Sequence, residues 1–358
     1  MSCRHLFKMN GRVQSIMKSC VLGIDGGGTK TTCLLSDDTG KIIGQGRGGP
    51  ANPNLVNNDD IRAAMQESIS GAIHSSSVPE FRIEALCAGI AGGVEEETRH
   101  TMRKVICQVT DRYGADSRYK HLFAGDMQIE VYTDAIISLV AGAGNRHGIV
   151  VISGTGSIVY GERFDGKTAR AGGWGNFLDN EGSGYEIGKM ALRAIMRAYD
   201  GRDRQTHLAE YILKELHFST PAEMAAHILK KPPEYAGVAG IAKLAHKAAK
   251  SGDTVALHIL TNAAVELCHG VLAVAKALSF TKENFPLVLA GGVLRNSDFV
   301  EKPLVHKVRQ SAPGAMPVLL AEEQAKGAVI LALKLAGMEK SQGNGTGGNS
   351  ERNGGGGI

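Results

Sequence analysis

The residues able to do chemistry in this chain gather at a few glycine-rich junctions. In "VLGIDGGGTKTTCLL" (residues 21–35), an apolar run ends in Asp25, three glycines follow, and Thr29 and Lys30 lead into a second apolar run. The turn matches neither G-x-x-x-x-G-K-[ST] nor a G-x-G-x-x-G opening a helix, so no helix N-terminus is on offer there. What remains is a nest of backbone amides at Gly26, Gly27 and Gly28, to which Thr29 adds a hydroxyl and Lys30 an ammonium, a set suited to phosphate. Asp25 at the strand end could hold Mg²⁺ through water, since that ion keeps much of its hydration shell. A tight hairpin with no ligand is the competing reading.

"SGTGS" (Ser153–Ser157) repeats the design, with Gly154, Thr155 and Gly156 in the turn and Ser157 after it. Two glycine turns bearing hydroxyls and facing each other would clamp a nucleoside triphosphate. A third junction, "LAGGVLRN", places Gly291 and Gly292 where a flat purine could lie against backbone. Its alternative is a plain helix entry capped by Asn296 or Ser297.

The elements that must carry these junctions follow from the pattern between them. The opening hairpin continues through "DDTG" into a third strand, "KIIGQGRG". A helix over "DDIRAAMQESISGAIH" follows, capped by Asn58 or Asp59, then strand, helix, the strand "MQIEVYTD" and the start of a helix, "AIISLVAG". From Gly148 the order restarts as strand, glycine turn, strand, turn, strand, a weak repeat of architecture. The second half then becomes helical over about 183–199, 204–217, 220–230, 237–251 and 254–279. "FPLVLAGGVLRN" is a further strand–helix junction, and "EEQAKGAVILALKLAG" a closing helix. In open α/β sheets ligands lie at the carboxyl ends of strands, where these glycine turns fall.

Composition bounds the rest. A chain of 358 residues suits two domains. Its formal charge of +4, with one Trp and nine Phe, offers no basic face interleaved with aromatics, so nucleic-acid binding is not expected. No apolar stretch reaches the ~20 residues of a membrane span. Glycine, at 47 residues, is about twice the usual ~7%. The six cysteines (Cys3, Cys20, Cys33, Cys87, Cys107, Cys268) form no C-x-x-C pair and read as reduced thiols of an intracellular, cytoplasmic protein. Residues 1–19 read as a basic extension, with an organelle transit peptide as the alternative. Residues 20–142 and 143–338 read as the two domains, the last helix able to pack back on the first, and 339–358 as a glycine-rich disordered tail.

The three glycine junctions, in this order, resemble the phosphate-1, phosphate-2 and adenosine segments of the actin/hexokinase-type ATPase superfamily. "GPANPNL" (49–55) and "RAGGWGNFLDNEGSGYEIG" (170–188) narrow the resemblance to the N-acetylglucosamine kinase and BadF/BadG/BcrA/BcrD-type ATPase family, over roughly residues 20–336. The implied fold is α/β, with two actin-like (ribonuclease H-like) domains facing a cleft and the second more helical. The implied activity is ATP- and Mg²⁺-dependent phosphorylation of an amino-sugar hydroxyl. Asp134 in "VYTDAIISL" matches the catalytic aspartate; a helix N-cap is its bland alternative, and Asp126, which precedes the strand, its competitor. Asn52, Ser157, Gly173, Trp174, Gly175, Asn176, Asp179 and Asn180 match sugar-binding positions, Trp174 as an apolar wall in a loop rich in glycine. The family commonly has Gly-Asp-Glu-Gly where this chain reads Asp179-Asn180-Glu181-Gly182, so an amide replaces the expected carboxylate.

The expected partners are therefore an amino sugar and ATP; a homodimer is left open. Two other readings remain at this point. One is an ATPase activator of a radical dehydratase, which would need cysteines near the cleft, and the other a catalytically weak amino-sugar sensor.

Overall fold

The computed structural model describes residues 17–93, 95–115, 121–175 and 177–338, so nearly all of the basic extension, the glycine-rich tail and Asn176 lie outside the described residues. Strand β1 (Lys18–Gly26) begins before the end of the expected extension. Lys18 and Ser19 belong to it, and Lys18 Nζ pairs with Asp37 at 2.9 Å.

β1, β2 (Thr31–Asp37) and β3 (Ile42–Gly48) form an antiparallel meander, joined on the other side of β1 by the parallel strands β4 (Phe81–Ile90) and β5 (Phe123–Thr133), in the order β3-β2-β1-β4-β5. The second sheet copies this topology. Its meander is β6 (Gly148–Ser153), β7 (Ser157–Glu162) and β8 (Thr168–Gly172), extended by parallel β9 (Phe285–Ala290) and β10 (Ala315–Leu319) in the order β10-β9-β6-β7-β8. The architectural repeat read from the sequence is thus present, although "AMPVL" (β10) was not foreseen: Pro317 and a half-exposed burial pattern disguise an edge strand.

Helix α1 (Asn58–His74) covers β3. The alternate glycines of "GQGRG" open that face: a Cβ at Gly46 would sit 1.9 Å from Ser68 O. Its cap is Asn57, one residue before the expected Asn58 or Asp59, whose side chain accepts from the amides of Asp59 and Asp60. Helix α2 (Glu96–Ala115) packs against β5 and α1.

α3 (Asp134–Ala143) is apolar on all sides because it lies between the sheets. Ile137 and Val140 join Val21, Ala85 and Cys87 of the first, while Ala135 and Leu139 join Val150 and Val288 of the second. Between β8 and β9 the chain inserts a helical layer. It comprises α4 (Gly184–Tyr199), α5 (Leu208–Glu215), α6 (Pro221–Lys230), α7 (Tyr235–Gly240), α8 (Ala242–Lys250) and α9 (Thr254–Ala277). The helix expected over 237–251 is in fact two, broken at Gly240–Ile241. Against the expectation that no apolar stretch reaches that length, α9 is long and apolar enough to cross a membrane, but its apolar face, including Ile259, Leu267 and Val271, lies in the core of the second half.

After β9 come α10 (Gly292–Asn296) and α11 (Asp298–Ser311). The closing helix α12 (Ala325–Leu335) returns to the first sheet: a Cβ at Gly23 of β1 would lie 2.5 Å from Val329 N. Backbone therefore packs on backbone there, and the last helix belongs spatially with the first strands.

Candidate functional site

The carboxyl ends of β1, β4 and β5 lie side by side, with Asp25 in register with Gly89 and Gly89 with Tyr132. Asp25 and the Asp134 that follows β5 are therefore two strand spacings apart, about 10 Å between backbones. Thr133, not Asp134, is the N-cap of α3, its hydroxyl accepting from Ile136 N. Asp134 is the first helical residue, and its Oδ1 accepts from its neighbour's amide, Ala135 N, at 2.9 Å. Burial raises the Asp134 carboxyl above the usual range, and the Ala135 amide opposes the rise. Asp25, 9% exposed, is pushed up to about 7, first by burial and then by the charge of Asp134; Lys30 opposes and Glu323 adds. The competitor Asp126 does not precede β5. It stands exposed inside the strand, where the β4–β5 register slips between Ile83 and Ala85, at the end far from Asp134.

The first glycine turn is held by its neighbours. Gly27 N donates to Lys30 O across the turn, Ala51 N to Gly27 O, and Ala91 N to Gly26 O. The Gly27 amide is thus consumed inside the hairpin and is not available to a phosphate. Those of Gly28 and Thr29 make no hydrogen bond among the described residues. Lys30 Nζ sits 3.3 Å from both carboxylate oxygens of Glu323, in the segment between β10 and α12, so the carboxyl edges of the two sheets meet here. Asn52 lies over the same hairpin: its Oδ1 accepts from Asn54 N at 2.9 Å, and a Cβ at Gly28 would meet Leu55 at 3.1 Å and Asn52 Nδ2 at 4.0 Å.

The second glycine turn joins β6 to β7 and is tied to the start of α4. Gly154 O and Thr155 O accept from Gly184 N and Tyr185 N, at 2.8 and 3.3 Å, and Ser153 Oγ donates to Gly182 O at 2.6 Å. Gly154 N turns inward to Gly156 O. Ser157, matched to a sugar position, spends its hydroxyl on Glu181 O and its amide on Asn180 Oδ1. The third junction abuts this turn. Gly291 has φ +95°, and a Cβ there would lie 2.2 Å from Ser153 O, so glycine is needed for strand packing whatever lies over it. Beyond it Gly292 is open, its nearest neighbour being Asn296 Nδ2, which donates to Gly292 O at 2.7 Å.

The loop 172–182 bends at Gly172, Gly173, Gly175 and Gly182, all at positive φ. Trp174 is 62% exposed, and the Arg170 guanidinium lies 3.9 Å over one face of its ring, so only the other face could serve as a wall. Phe177 and Leu178, not singled out in the sequence, are also exposed. Backbone amides of Gly173 and Trp174 hold Asp179, whose carboxyl is raised by burial and by its hydrogen bond with Glu181, while that bond holds Glu181 below the usual range. Asp179 Oδ2 is buried with no hydrogen-bond partner. Asn180 is buried and bonded at both ends of its side chain, to Ser157 N and to Tyr235 Oη.

Sequence reasoning missed Glu323 and Tyr235. Glu323 arrives from the segment before α12 and Tyr235 from α7, and neither carries a local motif. The described cysteines are free; Cys20, Cys33 and Cys87 lie within the first sheet, Cys107 on α2 and Cys268 on α9. Among the described residues no group of three or more His, Cys, Asp or Glu side chains is placed to hold a metal ion by itself. The cysteine set that an iron–sulfur activator would need is not found among them.

Known proteins resemble this chain in sequence or in fold. An N-acetylmuramic acid/N-acetylglucosamine kinase of Clostridium acetobutylicum is 32% identical over 312 residues, covering 87% of this chain and 97% of the relative. An N-acetyl-D-glucosamine kinase of Dictyostelium discoideum is 29% identical over 326 residues, covering 88% and 98%. A ROK family glucokinase of Streptomyces griseus, solved with glucose and AMPPNP, shares the fold with a TM-score of 0.52 at 20% identity, over 89% of this chain and 100% of that one. Residues 22–332 match the model of the BadF/BadG/BcrA/BcrD ATPase family, and the chain belongs to that family.

Proposed function

We propose that this protein is an ATP-dependent kinase of N-acetylated hexosamines. The observation that carries the reading is one edge: two glycine turns, at the carboxyl ends of two copies of one sheet, with the buried Asp25 and the half-buried Asp134 beside the first. The family and the two kinases similar over nearly their whole length support it.

In this reading the amides of Gly28 and Thr29, with Lys30, face one side of the triphosphate, and the turn Gly154–Gly156 the other. Gly292 and Asn296 border the adenosine. The acceptor sugar lies against Asn52 and the Gly173–Gly175 loop. Asp134 takes the proton of the attacking hydroxyl as the new O–P bond forms and the bond to the leaving ADP breaks. The buried Asp25 carboxyl, raised in part by the charge of Asp134, is a hard-oxygen donor suited to Mg²⁺, whose charge would offset that repulsion. Asp25 would hold the ion, with Asp134 close by, and Mg²⁺ would supply screening of the triphosphate charge. Gly26–Lys30 and Asn52 sit in the first half and Gly154–Ser157 in the second, so the substrates are gripped between two domains, divided near 142, with α12 returning to the first.

The test is ADP release in the presence of N-acetylglucosamine, N-acetylmuramic acid, N-acetylmannosamine, glucosamine and glucose. Turnover with N-acetylated sugars above glucosamine and glucose is expected. Folded protein that consumes ATP with none of them refutes the reading.

A further inference from the structure

Asn180 stands where the resemblance implies a sugar-binding aspartate, yet its side chain is directed at the second glycine turn. We propose that Asn180 and Tyr235 form a nucleotide-side pair, in which the Asn180 amide orients the Tyr235 hydroxyl as a donor to a phosphate oxygen; the proposal rests on the kinase reading above.

The orientation follows from hydrogen-bond polarity. The Ser157 amide, 3.2 Å away, can only donate, so it fixes the Asn180 oxygen on its side. The amide nitrogen then faces Tyr235 Oη at 2.5 Å, and as a donor it makes the tyrosine oxygen the acceptor. The tyrosine proton must therefore point elsewhere, and it remains available to a third group. An aspartate at position 180 would reverse this. The carboxylate has no donor, so the tyrosine would spend its proton on it and add a negative charge beside the turn.

The surroundings select the third group. Asn180 is 6% exposed, which leaves little of it to meet a sugar hydroxyl. Both members lie under the last glycine of the turn: a Cβ at Gly156 would sit 3.4 Å from Asn180 Oδ1 and 3.5 Å from Tyr235 Oη. The turn's other ties run to Gly182, Gly184 and Tyr185 around the start of α4, whereas Tyr235 comes from α7. Close packing fixes it there. The Tyr185 and Tyr235 rings lie 4.4 Å apart, and a Cβ at Gly188 of α4 would stand 2.0 Å from Val238 O of α7. The hydroxyl is thus held beside the turn that grips phosphate, by helices that bear no other part of the site.

Tyr235→Phe, Asn180→Asp and the double variant test this, through KM for MgATP, KM for the sugar, AMPPNP affinity by calorimetry, and melting temperature. Tyr235→Phe should raise KM for ATP about five-fold, the value of one neutral hydrogen bond. Asn180→Asp should raise it about ten-fold or more, with KM for the sugar within two-fold in both. The double variant should be no worse than Asn180→Asp, because the aspartate has already consumed the tyrosine proton. A lower sugar KM in Asn180→Asp with ATP affinity unchanged overturns the proposal and returns position 180 to the sugar. Unchanged AMPPNP affinity in Tyr235→Phe, where the parent binds AMPPNP, overturns it alone. Absence of AMPPNP binding by the parent overturns the kinase reading and this proposal with it.

Discussion

Replacing Asp25 with asparagine should stabilise the protein in a pH-dependent way while abolishing its activity. Asp25 is 9% exposed, and its carboxyl titrates near 7 in the folded protein against a usual value of 3.8. The folded state therefore binds this proton more tightly than the unfolded chain. The stability that the proton contributes is complete below pH ~4 and is lost progressively as pH rises to about 7. A difference of about three units corresponds to roughly 4 kcal/mol at most. Burial is the larger cause of that rise and the charge of Asp134 the second. In a chain this long each kcal/mol moves the melting temperature by about 2 °C. Asp25→Asn should thus melt up to about 8 °C above the parent at pH 8.5, with the gap closing towards pH 4.5. The assay is thermal unfolding of both proteins across that range, followed by circular dichroism. MgAMPPNP should narrow the gap at pH 8.5 by stabilising the parent selectively. A gap independent of pH, or an asparagine variant that melts lower at pH 8.5, refutes the reasoning.

Asp134→Asn should lower kcat by a factor of about 10² to 10⁴ in steady-state assays, without loss of melting temperature, because its Oδ1 bond to Ala135 N is open to the amide oxygen. Glu323→Gln should release Lys30 for phosphate and lower KM for ATP about two- to five-fold at low salt. That gain should fade at high salt, since the 3.3 Å pair is partly exposed. Gly291→Ala should cost about 3 kcal/mol or more, read as a lower melting temperature, since alanine would combine a φ of +95° with a Cβ 2.2 Å from Ser153 O.

Much of this molecule could be read along the chain because its signals are local. Strand–glycine–strand junctions at Gly26–Gly28 and Gly154–Gly156, the turn residues after them, and the helical periods of α1, α4 and α9 each specify an element over ten or twenty residues. The repeated meander follows from their order, as does the placement of all three junctions at strand carboxyl ends. Asp134 was set apart from Asp126 by its place at a strand end, which the structure keeps, while Asp126 falls inside β5 and not before it. The cap of α3 was less legible, since Thr133 and Asp134 are both good caps and only the backbone decides between them.

Most of the elements, their order and the candidate site residues could thus be named from the chain alone, because hydrophobic period, glycine and capping chemistry act between near neighbours. Which of those residues share an environment was set by the folded packing. It set Asp134 close enough to Asp25, across β4, for its charge to raise the Asp25 carboxyl, while burial raised its own. It returned α12 to the first sheet, which set Glu323 against Lys30 across some 290 residues of chain. It also turned Asn180 away from solvent onto Ser157 and Tyr235, a choice made by helix packing between α4 and α7. Electrostatics and hydrogen-bond polarity depend on distances through space, and those exist only once the chain has folded.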